Sequence, residues 1–309
     1  MTLPRIGVFD SGVGGLTVLK AMAEQLPAHY LYFGDTARLP YGTKSAETVA
    51  RYAIAATRFL EAQNIDLLVI ACNTATALAL SHIEDAARVP VVGVVEPGAA
   101  MAAEVSNNRA AIVIATEATV SSHAYRDALQ RHGLQSLEKA CPLFVPLVEE
   151  GWIEHPVTEQ VARIYLGEAA AQAPEGADVL VLACTHYPLI APLLRRIVPE
   201  SMQIVDSAES TARVVKRVVE KPTLSPNDGD KGGAPAQMRM SQVVPQPVSS
   251  RATSEARSRG TAISSTVVST AEHRTFRFYV TDSTDKFKRL ATRFLGRQVD
   301  KVEHVDLGG

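Results

Sequence analysis

The chain has 309 residues, of which 46% are hydrophobic and 21% charged, and its formal net charge is −2. That size allows two ordinary domains or one large one, and the near-neutral balance offers no basic face for nucleic acid and no patch drawn to an anionic membrane. The longest apolar runs, Leu67–Cys72 and Val179–Cys184, fall far short of the ~20 residues a spanning helix needs. No basic segment followed by a long apolar core opens the sequence, so a soluble, cytoplasmic protein is expected.

Short apolar runs alternate with amphipathic stretches. Ile6–Phe9 predicts a buried strand and Val13–Leu26 a helix; Ala46–Ala62, with Val49, Tyr52, Ala56, Phe59 and Leu60 on one face, predicts another helix. Asp66–Ala71 reads as a strand, Ala75–Ala87 as a helix and Val89–Val95 as a strand. The second half repeats the alternation: Ala111–Ala115 strand, Ser122–Arg131 helix, Leu143–Val148 apolar strand, Val157–Ala171 helix, Asp178–Ala183 strand, Ile190–Ile197 helix, Gln203–Val205 strand and Ser210–Glu220 helix. This pattern predicts an α/β fold with parallel sheets flanked by helices. Pro222–Glu272 is rich in serine, proline and glycine and has no aromatic residue, which predicts a disordered insert. Thr275–Val280 then alternates like a strand, and Asp285–Leu295 carries Phe287, Leu290, Ala291, Phe294 and Leu295 at helical spacing.

The chain echoes itself. Ile70-Ala71-Cys72-Asn73-Thr74 recurs as Leu182-Ala183-Cys184-Thr185-His186 at an offset of 112, Ile6–Ser11 as Ile112–Glu117 at 106, and Val94-Val95-Glu96 as Ile204-Val205-Asp206 at 110. The three offsets point to two related halves, giving pseudo-symmetric domains at 1–95 plus 208–309 and at 96–207, with the site in the cleft between them.

Of three cysteines, Cys72, Cys141 and Cys184, none lies in a Cys-x-x-Cys pair, so each is a buried apolar residue or a working thiol rather than part of a disulfide framework. Cys141 precedes Pro142 outside the repeat and reads as structural. Cys72 and Cys184 each end a strand before small polar residues and a predicted helix, where parallel sheets bind ligands and where a helix N-terminus lowers a thiol's pKa. Two thiols facing across a cleft suit inversion of a stereocentre, which needs a base on one face and an acid on the other. A zinc site made from Cys72, Cys184 and His186 lacks an obvious fourth ligand. The loop Asp10-Ser11-Gly12-Val13-Gly14-Gly15 matches neither phosphate-binding glycine pattern and reads instead as a grip on a substrate carboxylate or amine. Tyr41 and Gly42, in the turn-rich Phe33–Gly42 segment, offer a hydroxyl and a backbone N–H, and Glu149 or Glu150 could orient a histidine.

These motifs resemble the cofactor-independent aspartate/glutamate racemase superfamily. The resemblance is carried by Gly7–Leu16, Gly34–Gly42, Ala71–Ala75, Val145–Glu149, Ala183–Pro188 and Phe278–Thr281, and covers nearly all the chain except Pro222–Glu272. It implies a two-domain enzyme that interconverts L- and D-glutamate without a cofactor and supplies D-glutamate for peptidoglycan. By motif, Cys72 acts on D-glutamate assisted by Asp10, and Cys184 on L-glutamate assisted by His186. Asp35 and Glu149 match further acidic positions, while Asp10, Ser11, Tyr41, Gly42, Asn73, Thr74, Thr185 and His186 match substrate contacts. Members are often dimers, so a homodimer is expected. A racemase for aspartate or another amino acid, or a non-catalytic regulatory binding protein on the same fold, are the alternatives.

Overall fold

The computed structural model describes residues 2–220 and 274–307; the insert predicted at Pro222–Glu272 lies outside the described residues. Six parallel strands form the first sheet: β1 (Arg5–Asp10), β2 (His29–Gly34), β3 (Leu67–Ile70), β4 (Val91–Gly93), β9 (Phe276–Val280) and β10 (Glu303–His304), in the order β10-β9-β2-β1-β3-β4. Four parallel strands form the second: β5 (Ala110–Ala115), β6 (Gln135–Ala140), β7 (Val179–Ala183) and β8 (Gln203–Asp206), in the order β6-β5-β7-β8. Every residue of β3, β5 and β7 is buried, as expected of parallel strands covered on both faces.

The two sheets share one pattern. The run β2-β1-β3-β4 matches β6-β5-β7-β8. Strand order reverses between β1 and β3 in one sheet and between β5 and β7 in the other, and such switch points open a crevice at the carboxyl ends of the strands. The offsets of 106 and 112 join equivalent strands. The third echo does not. Val94 and Val95 begin helix α4 (Val95–Val105) whereas Ile204 and Val205 lie within β8, so Val89–Val95 is a strand only over Val91–Gly93.

Helices α1 (Leu16–Gln25), α2 (Ala46–Glu61) and α3 (Asn73–Ala86) cover the first sheet. Ser45 caps α2 by accepting the Thr48 N–H. The predicted helix at Ser122–Arg131 is two, α5 (Glu117–Ser122) and α6 (Ala124–Arg131), broken at His123, whose φ of 57° no helix accepts. The expected strand at Leu143–Val148 is instead helix α7 (Phe144–Glu149). Phe144 and Val148 are buried while Leu143 is exposed, a four-residue spacing that belongs to a helix. Helix α8 spans Pro156–Ala170, and the helix expected at Ile190–Ile197 shrinks to α9 (Ala191–Arg195) behind a 3₁₀ turn at Tyr187–Ile190. Helix α10 (Ser207–Glu220) follows β8, and α11 (Thr284–Leu295) closes the fold between a Ser283 cap and Gly296 at φ 69°. Strands β2, β6 and β10 and helix α4 had no counterpart in the sequence reading. Strand β6, QSLEKA, is a half-exposed edge strand with little apolar pattern, and β2, HYLYFG, is a buried aromatic run.

Candidate active site

Asp10 ends β1 and Cys72 follows β3, so both stand at the switch point of the first sheet. Cys72 is 5% exposed and is also the N-cap of α3. Its sulfur accepts the Ala75 N–H at 3.4 Å and its thiol faces Ser11 Oγ at 3.4 Å. The helix N-terminus was expected to lower this thiol. Burial and the neighbouring Asp10 carboxyl outweigh it and push Cys72 up to about 12, against the pull of Ser11 and Ala75. Asp10 is itself buried. Its Oδ2 accepts the Gly12 N–H at 2.9 Å and its Oδ1 has no partner. Burial raises its pKa, opposed by that N–H and by the charge of His186.

Cys184 follows β7 at the switch point of the second sheet. No α-helix starts directly behind it, only the 3₁₀ turn, so its polar neighbour is a side chain. His186 Nδ1 stands 4.0 Å from Cys184 Sγ, and His186 Nε2 lies 3.1 Å from Glu149 Oε1. Burial opposes charge on this imidazole, but Cys184 and Glu149 prevail and lift it to about 10. Burial likewise works to raise Glu149, and His186, Lys286 and Arg293 overcome it and hold its carboxyl below the ordinary value.

The two groups meet through Gly14. A Cβ on Gly14 would lie 2.1 Å from Thr185 Oγ1 and 2.6 Å from His186 Nδ1. The glycine loop was expected to grip a ligand; in the fold it seats the β1 turn against the Cys184 loop, and Thr17 Oγ1 donates to the Thr185 carbonyl at 3.1 Å.

The remaining predicted residues make separate sets of polar contacts. Asn73 Oδ1 accepts the Tyr125 hydroxyl at 2.6 Å, and its Nδ2 donates to Ser207 Oγ at 3.2 Å. Thr74 Oγ1 lies 2.9 Å from Thr116 Oγ1 and 3.2 Å from Thr119 Oγ1. Gly42 backs onto Thr116, where a Cβ would come within 3.3 Å. Asp35 is fully buried: its side chain accepts from Tyr41 at 2.6 Å and Thr281 at 2.9 Å, with Arg38 at 3.6 Å. Thr116, Thr119, Tyr125 and Ser207 were missed. Thr116 is findable, because it follows β5 at the offset of 106 from Asp10, which ends β1. Among the described residues no group of three or more His, Cys, Asp or Glu side chains is placed to hold a metal ion.

The chain matches the family model for Asp/Glu/hydantoin racemases over residues 6–215. It is 56% identical to a glutamate racemase of Koribacter versatilis (strain Ellin345), covering 99% of this chain and 98% of that one. Among solved structures it resembles the glutamate racemase of Thermus thermophilus in complex with β-chloro-D-alanine, at 38% identity and a TM-score of 0.75 over 98% and 97% of the two chains. It also resembles that of Francisella tularensis in complex with D-glutamate, at 29% identity and a TM-score of 0.77 over 99% of each.

Proposed function

The chain belongs to the Asp/Glu/hydantoin racemase family, and on that footing we propose that it interconverts L- and D-glutamate by a two-thiol acid/base mechanism that uses no cofactor. One observation carries the reading. Each thiol follows the switch-point strand of its own sheet beside its own buried titratable side chain, Asp10 for Cys72 and His186 for Cys184.

In the L-to-D direction, the Cys184 thiolate removes the α-proton of L-glutamate, and the electron pair stays on the α-carbon and its carboxylate. The Cys72 thiol then delivers its proton to the opposite face, leaving Cys184 protonated and Cys72 as thiolate. The reverse direction exchanges these roles. An imidazolium 4.0 Å from Cys184 Sγ can steady negative charge there or hand over a proton. The Asp10 carboxyl favours the thiol form of Cys72, the form that donates. The Asp10 carboxyl is the proposed partner of the substrate ammonium, and Ser11, Tyr41, Gly42, Asn73, Thr74, Thr185 and His186 complete the proposed substrate contacts. Asp35 acts at one remove, holding Tyr41 and hence the turn that carries Gly42.

The test is racemisation of each enantiomer in deuterated water with nothing else added. Both Cys72→Ser and Cys184→Ser should lose nearly all turnover, and near-full activity in either would sink the two-thiol mechanism. A panel that includes aspartate separates glutamate from its neighbours. D-glutamate for peptidoglycan, a cytoplasmic setting and a homodimer complete the proposal. No helix among the described residues is long and apolar enough to cross a membrane. The dimer is supported by the exposed apolar side chains Leu143, Trp152 and Val157, which line one surface depression. The division into 1–95 plus 208–309 and 96–207 is supported by strand membership of the two sheets.

A further inference from the structure

Glu149 reaches His186 from the last position of α7, a helix of only six residues. So short a helix has little rigidity of its own, and its final carbonyls lack partners within it. The following turn takes part of the load, with Glu150, Trp152 and Gly151 N–H donating to the carbonyls of Pro146, Leu147 and Val148, and a side chain from the far end of the chain takes the last two. Arg293, on α11, donates from Nη1 to the carbonyls of Val148 at 3.0 Å and Glu149 at 2.5 Å. The backbone makes room for it. Gly151 holds φ at +86°, and a Cβ there would lie 2.5 Å from Arg293 Nη2 and 3.0 Å from its Cζ. The next residue, Phe294, sets its ring edge-on to His186 at 5.3 Å and 85°. Lys286, two turns earlier on the same helix face, adds its charge towards Glu149.

We propose that Arg293 is a positioning residue for the Cys184 half of the reaction: by pinning the carbonyl end of α7 it fixes the Glu149 carboxylate on His186 Nε2, and so the ring that serves Cys184. Nothing comparable from α11 reaches Cys72 or Asp10 in the described contacts, so the device is one-sided. Arg293 is exposed, so its removal opens no core cavity. This proposal rests on the reading that Cys184, His186 and Glu149 serve the L-glutamate face.

One-sidedness cannot be read from steady-state rates alone. The enantiomers are equally stable in water, so kcat/KM must fall equally in both directions. Isotope effects separate the two faces. In Arg293→Met, misplacing the relay should lower kcat/KM about ten- to a hundredfold. The deuterium effect on kcat/KM should rise with α-deuterated L-glutamate, because proton removal by Cys184 becomes limiting. It should fall with α-deuterated D-glutamate, because removal by Cys72 then precedes the slow step. Arg293→Lys, which can still donate to the same carbonyls, should recover most of the loss and keep the fold if the methionine variant does not. Unchanged kinetics, or a loss with isotope effects that move together or stay put, would overturn the proposal. Glu149→Gln run in parallel separates the two levels. Opposed isotope shifts in Glu149→Gln but not in Arg293→Met or Arg293→Lys would defeat the role of Arg293 alone. Opposed shifts in none of them would defeat the underlying reading and the proposal with it.

Discussion

His186 is the residue in which fold and chemistry meet most directly. Held at about 10 against an ordinary 6.5, it binds its proton more tightly folded than unfolded. Its contribution to stability is therefore complete below pH 6.5 and lost as pH rises through about 10. Glu149 has the opposite sign. Its lowered carboxyl stabilises the fold above its ordinary 4.5, and that contribution fades as pH falls through its folded value. Thermal unfolding followed from pH 6.5 to 10 should show a falling Tm, with a shallower fall in Glu149→Gln, where His186 has lost one of its two charged partners. Equal slopes in the two proteins would mean that the pair is not coupled. Gly14 makes a second test. In Gly14→Ala the added carbon meets Thr185 Oγ1 and His186 Nδ1, neither at the end of a long flexible side chain, so the Cys184 loop must shift. A drop in kcat/KM of about a hundredfold is expected, with circular dichroism unchanged; wild-type kinetics would show that the loop accommodates the carbon.

At the scale of elements, Cys72 has two jobs that substitution separates. It is the proposed acid/base, and it caps α3 through the Ala75 N–H. Serine keeps an acceptor at the cap; alanine removes it, which costs about 1 kcal/mol. Both Cys72→Ser and Cys72→Ala should be inactive, yet urea denaturation should find the serine variant the more stable by about that amount. Equal stabilities would mean that the sulfur contributes no cap. The same element shows where periodicity is and is not enough. The buried runs of β1, β3 and β7 are legible because parallel strands covered on both faces are apolar throughout. Helix α7 was misread as a strand because Leu143–Val148 is uniformly apolar, and only the burial of Phe144 and Val148 against the exposure of Leu143 reveals its turn.

Across the whole molecule, the two sheets are joined by contacts between residues far apart in the chain. Tyr125 of α6 donates to Asn73 of α3 at 2.6 Å, tying the second sheet's helices to the mouth of the first. Tyr125→Phe keeps the ring but leaves the buried Asn73 Oδ1 without its donor, a cost of about 1–3 kcal/mol. Urea denaturation should register it, and KM for glutamate should rise as the amide loses its fixed orientation. An unchanged midpoint and KM would show that the bond carries neither stability nor binding. The proposed dimer is tested at this scale too. Trp152→Glu places a charge in the exposed apolar cluster and should yield monomers by light scattering, whereas a monomeric parent protein would remove the proposal.

The sequence by itself determined that two cysteines follow buried strands in repeated halves and that His186 stands two residues after Cys184, while the pairing of Asp10 with Cys72 came only through the family resemblance. Those features are local: an apolar run, a cysteine, then small polar residues. The tertiary structure alone decided the rest, since it depends on neighbours distant in sequence. It brought Gly14 against Thr185 and His186, placed Thr116 and Thr119 beside Thr74, and set Arg293 and Phe294 behind the Glu149–His186 pair. It also reversed the expected electrostatics of Cys72, because removal from water and the Asp10 carboxyl outweigh a helix N-terminus that the sequence could announce but not weigh.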